Sequence, residues 1–194
     1  LKKLTDAESA FSVASVKEKI NALPAADEVT TANKDAIEAA RGFYDALTDE
    51  EKAKVAPETL KKLTDAESAL AVATANEAIN ALPAADEVTT ANKDAIEAAR
   101  KAYDELTATQ KKKVSADNLK KIETAEKALA AAVEKSVKTV TVNAKTVSAK
   151  TLKAAVAKAG GSSKYVKTIV LGKKVKKISK GVFKNYKKAK TLIV

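Results

Sequence analysis

Cysteine, histidine, methionine and tryptophan are all missing from this chain of 194 residues, and glycine (5), tyrosine (4), phenylalanine (3) and proline (3) are scarce. Without Cys or His there is no thiol nucleophile, no zinc site of the usual kind and no imidazole for acid–base work. Lys, Asp, Glu, Ser, Thr and Tyr remain as potential catalysts, but no motif joins them. The expectation is a protein that is not an enzyme, with no catalytic, cofactor-binding or metal-binding residue. A Cys-free chain is compatible with secretion and gives no reading of redox compartment. No run of about 18 apolar residues occurs, so no membrane span is expected. The sequence shows no signal peptide, lipidation motif or initiator Met. It opens at Leu1-Lys2-Lys3-Leu4, which a later copy marks as helix interior, so a piece of a longer protein is expected.

What is present divides at residue 136. Residues 1–136 hold 20 Lys+Arg against 25 Asp+Glu, whereas residues 137–194 hold 16 Lys and no acidic residue. Such asymmetry predicts two domains, residues 1–136 and 137–194, in different surroundings.

The first part repeats. Asn21 to Arg41 and Asn80 to Arg100 are the same 21 residues, NALPAADEVTTANKDAIEAAR. Leu1 to Ala10 recurs intact from Leu60, and a looser copy starts at Leu119; the offset is 59 residues each time. Chance does not produce this; it is duplication. Ile37, Ala40, Tyr44 and Leu47, like Ile96, Ala99, Tyr103 and Leu106, form one helical stripe. That helix is predicted to start near Thr30 or Thr89. A short helix comes next, opened by capping-box patterns at Thr48–Glu51 and Thr107–Gln110 and ending around Val55 and Val114. A long helix then begins at Pro57, or behind Ser115 in the next copy.

Residues 57–81 lack a breaker and would span about 37 Å. Leu60, Leu63 and Leu70 are expected to close one bundle, and Val72, Ile79 and Leu82 to open the next. The predicted fold class is all-α tandem three-helix-bundle repeats, an elongated rod with a shared long helix, followed by the start of a small α/β solenoid. The carboxylate pairs Asp35/Glu38, Asp94/Glu97 and Asp104/Glu105 fall opposite the apolar stripe and are read as solvated helix faces. Tyr44 and Tyr103 fall within it and are read as packing residues.

At Val137 the period changes. Residues 137–142 alternate as a strand, 148–159 read as a helix ended by Gly160-Gly161, and 165–171 read as a strand again. Val166 to Leu171 is echoed by Ala189 to Val194 at an offset of 23 residues, with Val175, Ile178, Gly181, Phe183 and Tyr186 between. This pattern resembles the BspA-like class of bacterial leucine-rich repeat, an apolar strand followed by V-x-x-I-x-x-x-A-F-x-x-C/Y-x-x-L. Val175, Ile178, Phe183 and Tyr186 match it; Val182 stands for the usual Ala, Tyr186 for the usual Cys and Ala189 for a usual Leu.

The 59-residue repeats, in turn, look like stalk repeats of secreted or wall-attached proteins of Gram-positive gut bacteria. Together these resemblances imply an extracellular or cell-wall location and a spacer or adhesion role toward a protein or glycan ligand. Neither implies a catalytic residue. Residues 137–161 then read as the cap of a leucine-rich-repeat domain, and the apolar Thr191–Val194 strand as an edge to be covered by a further repeat or by self-association with another copy.

The lysines between the repeat's apolar positions are expected to face outward. Lys173, Lys174, Lys176, Lys177, Lys187 and Lys188 are the candidate contacts for a polyanion such as teichoic acid, a sulfated glycan or nucleic acid. The plainer reading is a solvated face that limits self-association of a β-rich surface. Nucleic acid is disfavoured as a partner because all 16 basic residues in this part are Lys and no recognition motif accompanies them.

Overall fold

Duplicated sequence folds into duplicated local structure. The computed structural model describes residues 2–194, with side chains from residue 7 onward; the expectation for Leu1 lies outside the described residues. In chain order the helices are α1 (Lys2–Asn21), α2 (Lys34–Asp45), α3 (Asp49–Lys52), α4 (Pro57–Asn80), α5 (Lys93–Asp104), α6 (Ala108–Lys111), α7 (Ala116–Ser136) and α8 (Ala149–Lys158). The strands are β1 (Thr139–Val142), β2 (Thr146–Val147), β3 (Thr168–Leu171), β4 (Lys177–Ile178) and β5 (Thr191–Ile193). The fold is therefore rich in helix with small parallel sheets.

Local chemistry sets the helix ends. Thr48 Oγ1 accepts from the Glu51 amide at 3.3 Å while Glu51 Oε2 accepts from the Thr48 amide at 2.9 Å. Thr107 and Gln110 repeat the pair at 3.3 and 2.8 Å. Two orphan amide donors are satisfied at each start. α2 and α5 begin later than Thr30 and Thr89 predict. A single 3₁₀ turn, Thr31–Asn33 or Thr90–Asn92, intervenes, because Asn33 and Asn92 fold back to accept from the threonine amides at 2.8 Å. C-terminal carbonyls are met by lysines from elsewhere. Lys62 Nζ donates to Asn21 O and Lys121 Nζ to Asn80 O, at 2.6 and 2.8 Å.

The chain divides into two compact units, Leu1–Leu82 with Glu97–Ile122, and Pro83–Ile96 with Glu123–Val194. Compaction thus does not follow the charge boundary at 136/137, which instead marks the change from helix α7 to strand β1.

In the first unit α1, α2 and α4 pack on one another around Val16, Ile20, Ile37, Ala40, Leu63 and Ala66. Each buried Ile or Leu of this kind contributes about 1.5–3 kcal/mol of transfer free energy. Farther along α4, Val72 and Ala75 join a separate cluster with Leu106, flanked by Ala102, Tyr103 and Val114. Leu63 and Leu70 pack as expected, but Leu60 stays half-buried and Ala66 and Ala69 hold the central places. Alanine wins those positions because a methyl group lets helix backbones approach closely.

In the second unit the sheet order is β1-β3-β5, all parallel, with Thr139, Thr168 and Thr191 in register. The 23-residue offset read from sequence is thus the register of β3 on β5. A two-stranded parallel sheet, β2 with β4, has no counterpart in the sequence pattern. Val140, Val142, Ile169 and Leu171 face inward against Leu152 and Val156 of α8. α8 is opened by Ser148, whose Oγ accepts from the Thr151 amide at 3.3 Å. Gly160 comes after it at φ +69, a conformation that only Gly adopts without strain. At Gly161 a Cβ would stand 2.7 Å from the Val137 side chain, so this close approach requires a glycine. β5 is an edge strand with Leu192 and Ile193 45% and 50% exposed, the surface that the expected self-association would use.

Candidate functional site

Parallel strands in register bring their leading residues together at one end of the sheet and their trailing residues together at the other. The residue before each register threonine is a lysine: Lys138, Lys167 and Lys190. Their backbones form a ladder. Lys138 O accepts from the Lys167 and Thr168 amides at 2.7 and 2.9 Å, and Lys167 O accepts from the Lys190 and Thr191 amides at 3.0 and 3.3 Å.

Tyr165 sits at this end, half-buried, its amide donating to Ser162 O at 3.0 Å. Three ammonium groups converge on its ring: Lys138, Lys164 and Lys188 Nζ lie 5.3, 5.4 and 5.8 Å from the centroid. Lys138 also donates to Lys135 O, near the C-terminal end of α7, where a cation meets the negative end of the helix dipole.

The six lysines singled out from sequence are all exposed, but the fold does not gather them. Lys187 and Lys188 precede β5, at the end that holds Tyr165. Lys173, Lys174, Lys176 and Lys177 lie past the other end of β3. There the Lys174 amide reaches Asn143 Oδ1 at 3.4 Å, and the Lys176 and Lys177 amides donate to Lys145 O at 2.9 and 3.2 Å. Four residues of strand separate the two groups by about 13 Å. The candidate site is therefore two cationic clusters. Lys138, Lys164 and Tyr165 were missed by sequence reasoning. The signal that could have found Lys138 is the Lys-Thr pair repeated at the start of β1, β3 and β5; Lys164 and Tyr165 carry no such mark.

A cleft of about 560 Å³ opens elsewhere in this unit. Val156, Val182 and Tyr186 give it an apolar floor, with Lys150, Lys153 and Asn185 at the rim. Burial pushes the pKa of the Tyr186 phenol above its ordinary value. Two further grooves, of about 500 and 440 Å³, are copies of each other. Ala26, Val29, Ala69 and Ala73 line one, and the residues 59 positions later, Ala85, Val88, Ala128 and Ala132, line the other. They result from duplication of the sequence at 59 residues.

The carboxylate pairs read as solvated faces are exposed, and Lys34–Glu38, Arg100–Asp104 and Lys101–Glu105 form i,i+4 ion pairs at 3.7–3.8 Å. Among the described residues no group of acidic side chains is arranged to hold a metal ion, and no helix is long and apolar enough to cross a membrane. No family model, curated protein or solved structure matches this chain.

Proposed function

We propose that the chain is a non-enzymatic cell-surface structural or adhesion module. Residues 1–136 act as a helical spacer of tandem three-helix repeats that share their long helix. Residues 137–194 present a binding surface built on the cap and first turns of a leucine-rich-repeat solenoid. The observation that carries this reading is α4, one unbroken helix whose first half packs in one cluster and whose second half packs in another. A shared helix joins neighbouring bundles stiffly, as a spacer requires. The extracellular or wall location is what the resemblance of both repeats implies.

Stiffness is measurable because the chain has no native cysteine to interfere with labelling. Spin labels at Glu18→Cys and Lys101→Cys should give one narrow distance distribution. A Gly-Gly-Ser-Gly-Gly insertion between Leu70 and Ala71 should broaden it. An already broad distribution in the uninterrupted chain would remove the spacer reading.

A second reading is polyanion binding through the lysine-rich part, favoured by exposed lysines at both ends of β3 with no acidic residue in 137–194. Retention on immobilised heparin beyond about 0.3 M salt supports it, since weak non-specific attraction is screened by then. Elution well below that concentration counts against it.

A further inference from the structure

We propose that Tyr165 with Lys138, Lys164 and Lys188 forms a subsite for one anionic sugar unit of an acidic polysaccharide, the ring gathering the three ammonium groups and these holding the sugar's carboxylate or sulfate. This rests on the polyanion reading and gives it a place and a ligand class.

The same local device occurs in the helical part with a different outcome. Tyr44 carries Arg41 and Lys52 at 5.4 and 5.9 Å, and Tyr103 carries Arg100 and Lys111 at 5.8 and 5.4 Å. Those cations are already engaged. Arg41 binds Glu67 and Asp45, Arg100 binds Asp104, and Lys52 and Lys111 donate to the carbonyls of Asp45 and Asp104. Around Tyr165, among the described residues, the Lys138 ammonium meets one carbonyl, and the Lys164 and Lys188 ammonium groups have neither an ion pair nor a hydrogen bond, although the Lys164 amide donates to Ser162 Oγ at 3.4 Å. Three like charges held near one ring repel one another, and a cation–π contact returns only a part of that. An anion placed among them relieves the repulsion. Lys167 and Lys190, next in the ladder, extend the positive surface along the same edge for the neighbouring units of a polymer.

A polysaccharide fits better than a nucleic acid. Single-stranded nucleic acid is held by successive aromatic platforms. Here Phe183 is packed against the core and Tyr186 is buried, which leaves Tyr165 as a single platform.

The test is calorimetric titration of the full chain with a heparin-derived hexasaccharide and with hexagalacturonate, which separate a sulfate from a carboxylate preference. Lys138→Gln/Lys164→Gln/Lys188→Gln should weaken binding of the preferred probe about tenfold, and Lys173→Gln/Lys174→Gln/Lys176→Gln/Lys177→Gln less than about threefold although it removes more charge. Tyr165→Leu should lose about threefold, and Tyr165→Phe should retain binding. Circular dichroism identifies a variant that fails to fold, in which case the lysine variants decide.

If the quadruple variant loses as much as the triple, binding is diffuse and the subsite is overturned. Tighter binding of an oligothymidine of equal charge would overturn the polysaccharide assignment. A parent chain that binds neither oligosaccharide at 0.05 M salt overturns the polyanion reading itself. A parent chain that binds while the triple variant is unchanged overturns the subsite alone.

Discussion

Glu51 and Gln110 occupy the same place in two copies of one capping box, yet one titrates and the other does not. The Glu51 carboxylate accepts from the Thr48 amide, and this hydrogen bond holds its pKa below the usual 4.5. The stability contributed by its charge is therefore complete above that usual value and is lost as pH falls through the lowered pKa. Gln110 makes the corresponding bond with a neutral amide oxygen. Acidification through the range below 4.5 should thus lower the protection factors of the α3 amides, with the intrinsic exchange rate at each pH divided out, and leave those of α6 unchanged, and Glu51→Gln should abolish the difference. Equal loss of protection in both helices would show that the box does not set the acid response. The box was legible in sequence as Thr-x-x-Glu and Thr-x-x-Gln. The asparagines that delay α2 and α5 were not, because Thr-Thr-Ala-Asn is compatible with both a helix start and a 3₁₀ turn until the Asn side chain picks its amide.

Long helix α4 was legible from Pro57 and the absence of a breaker before Pro83. Which residues form its packed face was legible only in part. Hydropathy favours Leu60, Leu63 and Leu70, whereas the buried positions of this stretch are Leu63, Ala66 and Ala69, in the cluster that α1, α2 and α4 share. The spacing of three is visible in the sequence. The need for small side chains depends on how near the partner helix comes, and no residue of α4 encodes that distance. Ala66 is 1% exposed, so Ala66→Leu should destabilise the first unit by about 1–3 kcal/mol in urea unfolding, the usual effect of overpacking. A neutral effect would mean that α1 and α2 can yield to the added volume.

Across the chain as a whole, charge is the most uneven property. Residues 137–194 carry 16 Lys and no acidic residue, and the structure brings Lys138, Lys164 and Lys188 together rather than dispersing them. Self-repulsion of this kind opposes compaction and is screened by salt. Raising NaCl from about 0.02 to about 0.3 M should slow amide exchange in β1 and β3, whereas helix α2, among mixed charges, should change little. Faster exchange in the strands at high salt would contradict a folded state held back by its own charge. The sequence by itself determined the duplication, the helix and strand periods, the charge division and the absence of cysteine and histidine chemistry, because these depend on residue type and short spacing. Only tertiary structure decided that six candidate lysines form two clusters and that Tyr165 stands with Lys138, Lys164 and Lys188. Parallel pairing in register, between residues 29 and 23 positions apart, puts strand starts side by side. Such long-range geometry leaves only the repeated Lys-Thr pair as its trace in the linear order.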